Sequence, residues 1–124
     1  MTLEMIFVLL VWTKFKHFLA DFPLQGRYML GKFKDGSEWI LPLLAHVTVH
    51  GLFTLGLCLL VNPAMWWLCF LDMIIHFVTD RVKASKNLLG RWKFEDKMYW
   101  WVLGCDQLIH GCTDILVLYL LIKF

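Results

Sequence analysis

WILPLLAHVTVHGLFTLGLCLLV, residues 39–61, decides how this chain folds. It holds 23 residues with no Asp, Glu, Lys or Arg, and at ~1.5 Å per residue it covers a bilayer's hydrocarbon core of about 30 Å. Inside it, His46 and His50 stand four residues apart, where a helix places both on one face. The stretch therefore predicts a membrane-spanning helix with a polar stripe. It ends at Asn62-Pro63, a good N-cap followed by a residue suited to a first helical turn, so the next helix folds back antiparallel.

Working outward, residues 3–20 form an earlier apolar segment, Pro63 to about Asp80 a third, and Met98–Ile122 a fourth. The fold class expected is all-α, a single polytopic domain over residues 1–124 with four transmembrane helices and a polar, metal-binding core. The whole composition agrees, since 60% of the 124 residues are hydrophobic, against about 45–50% in a soluble domain. The segment from Phe22 to Glu38 carries Pro23, Gly26, Gly31 and Asp35-Gly36-Ser37, which read as turns, with Ser37 capping the second helix. The N-terminal apolar run lacks a basic leader and a small-x-small cleavage site, so it is read as a retained helix. Cys58, Cys69, Cys105 and Cys112 show no metal-knuckle spacing and are read as small buried hydrophobes.

Charge is placed unevenly. Nine of the twelve Lys and Arg residues fall in the two long loops, residues 22–38 and 81–97. The excess of positive charge on the cytoplasmic side of membrane proteins puts both loops in the cytoplasm and both termini outside it, with Lys14 and Lys16 near the cytoplasmic end of the first helix. Trp39, Trp92, Trp100 and Trp101 suit that interface, and Trp66 and Trp67 the opposite one. A net charge of +2 gives no reason to expect nucleic acid.

All five histidines lie in or at the edge of these segments, each with an Asp or His four residues away: His17 with Asp21, His46 with His50, Asp72 with His76 and Asp80, Asp106 with His110 and Asp114. Side chains one helical turn apart can share an ion. The topology brings all four sets into one slab in the cytoplasmic half. A repeat runs through them. His17-Phe-Leu-Ala-Asp21 matches His76-Phe-Val-Thr-Asp80, and His46-Val-Thr-Val-His50-Gly51 matches Asp106-Gln-Leu-Ile-His110-Gly111, while Thr13 and Thr54 correspond to Asp72 and Asp114. Residues 1–62 and 63–124 thus read as two helical hairpins about a pseudo-two-fold axis along the membrane normal. Repeated faces then meet at that axis, as ligands do in di-metal bundles.

These residues give the expected ligands, His17, His46, His50, Asp72, His76, Asp106 and His110, with Asp21, Asp80 and Asp114 as candidate general bases. Five aspartates in hydrocarbon would cost several kcal/mol each if unpaired, and one or two divalent cations would offset them. Imidazole with carboxylate suits Zn first, then Fe or Mn, and an open coordination position can activate water. The plainer reading is that polar groups merely bond helix to helix. One or two would be explained so; about ten in register point to a site. For Asp21 and Asp80, at helix ends, pairing with Lys16 or Lys83 is the competing reading.

The string His17-x3-Asp21-Phe22-x-Leu24-Gln25, then Lys32, His46-x3-His50, Asp72-x3-His76-x3-Asp80-x2-Lys83 and Asp106-x3-His110, resembles a family of small bacterial and phage membrane proteins of unknown function. The match covers most of the chain, and it implies a multi-pass inner-membrane protein of a bacterium or its virus. A looser similarity, by analogy only, is to inner-membrane metal-dependent hydrolases. The function expected is a membrane-embedded metal-dependent hydrolase, cleaving a phosphoester or acyl bond of an anionic, amphiphilic or lipid-linked substrate at the cytoplasmic face. Lys32, Lys83 and Lys86 would orient its headgroup. The alternatives are a metal-ion or proton transporter using the same residues as a relay, and a non-catalytic phage membrane protein that binds a host factor. A bundle this small also has reason to pair with a second copy.

Overall fold

The computed structural model describes residues 1–124. The chain is all-helical, with no strand: α1 (Leu3–Asp21), α2 (Ile40–Val61), α3 (Leu68–Ala84) and α4 (Lys97–Lys123). Consecutive helices pack on one another and α1 also packs on α4, so the four close into a bundle in which α2 and α3 share the largest interface. Both halves run helix, 3-10 turn, helix: Met29–Phe33 lies between α1 and α2, and Leu89–Arg91 between α3 and α4. A third 3-10 turn, Pro63–Met65, with proline at its start, joins the halves and delays α3 to Leu68.

Local signals explain most boundaries. Thr2 caps α1 by accepting a hydrogen bond from the Met5 amide at 3.2 Å. Gly36 takes a positive φ of 66°, a turn conformation that other residues adopt at a cost. Ser37 does not cap α2, contrary to expectation. Residues 36–39 form turns and Ser37 offers its carbonyl to the Ile40 amide, so the helix starts behind Trp39 without a side-chain cap.

Two helices, α2 and α4, are long and apolar enough to cross a membrane. The other two are less clear-cut, because α1 carries Lys14, Lys16 and Asp21 within its 19 residues, and α3 has 17 residues with Asp72, Asp80, Arg81 and Lys83 among them. The distribution of side chains is inverted relative to a water-soluble domain. Fourteen of the 29 buried residues are polar or charged, while Phe7, Phe15, Leu60, Ile74 and Leu108 are exposed. Apolar packing is concentrated at the end of the bundle near Asn62, where Leu57, Cys58, Met65, Leu68, Val117, Leu118 and Leu121 form one cluster. Cys58 and Cys69 are buried as expected. Cys105 and Cys112 instead face outward from α4, each about 100° round the helix from the buried Asp106 and Thr113.

Candidate metal centre

Helical spacing of four does the positioning. On each helix the paired residues share the inward face, and four such faces meet. His46, His50, Asp72, His76, Asp80, Asp106, His110 and Asp114 are all at most 3% exposed.

Asp21 lies at the centre of the first hairpin's contribution. Its Oδ1 is 2.8 Å from His50 Nε2 and 3.4 Å from His46 Nε2, and its Oδ2 is 2.7 Å from His17 Nε2. Asp80 holds the matching place in the second hairpin. Its Oδ1 is 3.1 Å from His110 Nε2, Asp106 Oδ1 is also 3.1 Å from that nitrogen, and its Oδ2 reaches across to His46 Nε2 at 3.2 Å. Two groups of three therefore form, Asp21/His46/His50 and Asp80/Asp106/His110, each with ligand atoms within 4.8 Å of one another. Residue for residue they are partners in the sequence repeat. A third group of the same tightness, His17/His50/His76, lies between them. The rings interleave there: His76 stacks on His50 at 4.0 Å and on His110 at 4.1 Å between centroids, and His17 faces His50 and His110 at 5.5 and 5.4 Å.

Donor chemistry in these groups fits a cation. His17 Nε2 and His76 Nε2 are buried with no hydrogen-bond partner, and the close approach of His17 to Asp21 lacks hydrogen-bond geometry. Buried polar atoms are ordinarily satisfied. His50 Nε2 and His110 Nε2 pair with the Asp21 and Asp80 carboxylates at 2.8 and 3.1 Å; the unpartnered His17 and His76 nitrogens beside them are what a shared metal ion would satisfy.

Asp72 and Asp114 are placed differently from the expectation that joined them to this centre. Lys16, expected near the cytoplasmic end of the first helix, is 3% exposed inside the bundle. Its Nζ donates to Asp72 Oδ2 at 2.8 Å and to Thr54 Oγ1 at 2.9 Å, and lies 3.5 Å from Asp114 Oδ1. Thr54 also donates to Asp72. The other Asp72 oxygen is 2.9 Å from His76 Nδ1, so this buried ion pair backs the histidine cluster from the side of the apolar residues. Sequence reasoning missed Lys16; the available signal was its place on one face with Thr13 and Ala20, all three buried.

The predicted lysines separate. Lys83 donates to Asp106 Oδ2 at 3.0 Å and lies 3.8 Å from Asp80, while Lys32 is 4% exposed, 3.7 Å from Asp80, and bonded to Gln25 Oε1 at 2.8 Å. Burial pushes the Lys32 ammonium below its ordinary value, against the opposing pull of Asp80. Lys86 is not in this group. It is an exposed side chain 3.7 Å from Asp35. The charge balance also differs from expectation. Lys14, Lys16, Lys32 and Lys83 each lie within 4 Å of one or two of Asp72, Asp80, Asp106 and Asp114, leaving Asp21 with imidazoles alone.

With this geometry in view, a family model described as Protein of unknown function (DUF3307) matches residues 6–124. The chain belongs to that family. The match takes in both hairpins and every residue of the three His/Asp groups. No curated protein and no solved structure gives a significant match.

Proposed function

We propose that this chain is a multi-pass protein of the bacterial inner membrane that binds a divalent metal in its core and hydrolyses a phosphoester or acyl bond of an anionic amphiphile at the cytoplasmic face. The observation that carries the reading is the pair of repeat-related groups, Asp21/His46/His50 and Asp80/Asp106/His110, with His17 and His76 between them, gathered among four helices with all but Asp21 and His17 buried. An apolar exterior around a charged interior supports a bilayer as its surroundings, since lipid rather than water then solvates Phe7, Leu60 and Leu108. On this reading α1 and α3 complete the four spans, their charges paired within the bundle.

Asp21, His17, His46, His50 and His76 would hold the ion. Bound there, a Zn, Fe or Mn ion lowers the pKa of water and polarises the bond to be cleaved. Asp80 and Asp106, held near Lys32 and Lys83, are the groups placed to take a proton. The two lysines would also meet a negative headgroup. Because four lysines already answer most of the buried carboxylates, the charge balance favours one divalent ion over two.

The transporter reading needs a polar path through the bundle. The cluster from Leu57 to Leu121 closes the end near Asn62, which favours chemistry at one face over passage. Metal analysis of the purified protein, followed by assay on phospholipid and polyprenyl-phosphate substrates with and without chelator, tests the proposal. Stoichiometric metal with chelator-sensitive hydrolysis is expected. Metal-free protein, or cleavage indifferent to chelator, overturns it.

A further inference from the structure

Under the repeat, the α2/α3 interface and the α1/α4 interface are counterparts, and so are Gly51 and Gly111, and Met73 and Lys14. The two are built differently. In α2/α3, the Met73 side chain fills the space over Gly51 so closely that a Cβ on that glycine would overlap its sulfur. In α1/α4, a Cβ on Gly111 would find only the Lys14 Nζ, at 3.6 Å. Where one interface is sealed, the other leaves a cleft of about 190 Å³ lined by Lys14, His17, Phe18, Phe22, Gln107, Gly111 and Asp114.

This cleft leads to the metal centre. The side chains of His17 and Asp21 are 14% and 20% exposed, whereas those of His46, His50, Asp80, Asp106 and His110 are at most 3%. The centre thus opens on α1, on the side facing α4. At the mouth, Lys14 is 60% exposed and held only at 3.5 Å by Asp114, so most of its donor capacity is free. The opening runs from mid-height, where Lys14 stands seven residues back from the end of α1 and Gly111 fourteen into α4, to the loop end of the bundle at Phe22, the residue that caps α1. Its flanks are the exposed Phe15, Phe18, Leu108 and Ile115. An ammonium held only loosely by Asp114, whose other oxygen lies 3.5 Å from Lys16, and flanked by apolar side chains selects an anion that brings its own apolar body.

We infer that the α1/α4 cleft is a lateral portal through which the phosphate group of a membrane lipid enters, with Lys14 as its first contact and His17 and Asp21 beyond it. This rests on the proposed function for what happens to the lipid, but the binding itself does not require hydrolysis. Lys14→Met rebuilds the sealed interface with the same residue that seals α2/α3. Gly111→Met plugs the cleft from the other wall and leaves every charge in place.

The test uses the full chain in phosphatidylcholine nanodiscs containing trace phosphatidic acid with a photoactivatable diazirine in its acyl chain. The matched diazirine diacylglycerol serves as control and soluble glycerol phosphate as competitor, and metal content is measured on the same samples. Crosslinks are expected on α1 and α4 around Phe18 and Gln107. Both variants should lower them by about fivefold or more, the worth of one lysine–headgroup contact, while Lys14→Arg retains them and metal content stays unchanged. Labelling spread over all four helices, equal labelling by diacylglycerol, or no loss in either variant overturns the portal. Displacement by glycerol phosphate would identify a soluble phosphate site and overturn the lipid assignment. A variant that loses metal yields the decision to the other. Absence of metal or hydrolysis in the unmodified protein would remove the hydrolase reading and leave the crosslinking result standing.

Discussion

The two hairpins present the same positions to the centre with different chemistry. Asp21/His46/His50 offers one carboxylate and two imidazoles with no lysine within 4 Å, whereas Asp80/Asp106/His110 offers two carboxylates and one imidazole with Lys32 and Lys83 in contact. A difference of one side chain, His46 against Asp106, separates a neutral-rich ligand set from a charged one. In the first, a cation would replace only the proton shared between His50 and Asp21. In the second, a metal competes with an ammonium already in place. On the proposed function the duplicated halves would have separate tasks, the first to hold the ion and the second to handle protons and negative charge.

The comparison can be broken most severely through Lys16, the most deeply buried of the three lysines that the first hairpin lends to the second. Lys16→Met should leave Asp72 buried without its cation and cost ~3–5 kcal/mol, read as a lower unfolding midpoint in detergent. Lys16→Met with Asp72→Asn should recover much of it; no recovery would mean the pair does not act as a unit. His50→Ala, which removes a member of two of the three groups, should weaken metal binding by at least about 100-fold, the upper end of what outer-sphere changes alone produce, as measured by chelator competition. A sharper contrast is Asp21→Asn against Asp106→Asn. The first should lower metal affinity by about tenfold more than the second, a gap of ~1.4 kcal/mol, because Asp106 is held by Lys83; equal losses would erase the division of labour between halves. Smallest is Lys86→Ala, which should change stability by no more than about 0.5 kcal/mol and leave metal content as it was, since its ion pair is exposed to solvent.

Much of this arrangement is legible in the sequence, and the reason is periodicity. A charge-free apolar run marks α2 and a long, mostly apolar segment marks α4, and a spacing of four marks which polar residues share a face, so His46/His50 and Asp106/His110 converge as their register requires. What spacing leaves open is rotation about each helix axis. Asp72 and Asp80 are two turns apart on one face of α3, yet one meets Lys16 and the other the imidazoles, because their neighbours on α1 and α2 differ at those levels. Lys16 was hidden by the same rule that orients the bundle. A basic residue near a helix end reads as a topology marker, and only the packed structure distinguishes one that points inward. The outward Cys105 and Cys112 follow the same logic, since composition locates a residue in an apolar segment but not on a side of it.

The Lys16–Asp72 contact joins residues 56 positions apart, on the two helices that carry the most charge for their length. On the membrane reading, neither α1 nor α3 is at ease in lipid until the other arrives. During synthesis the first hairpin would have to wait, half-accommodated at the insertion machinery or beside a chaperone, until α3 emerges and supplies the counter-charge. Biogenesis would then be the step most sensitive to this pair, with quality-control proteolysis removing chains in which the two helices never meet.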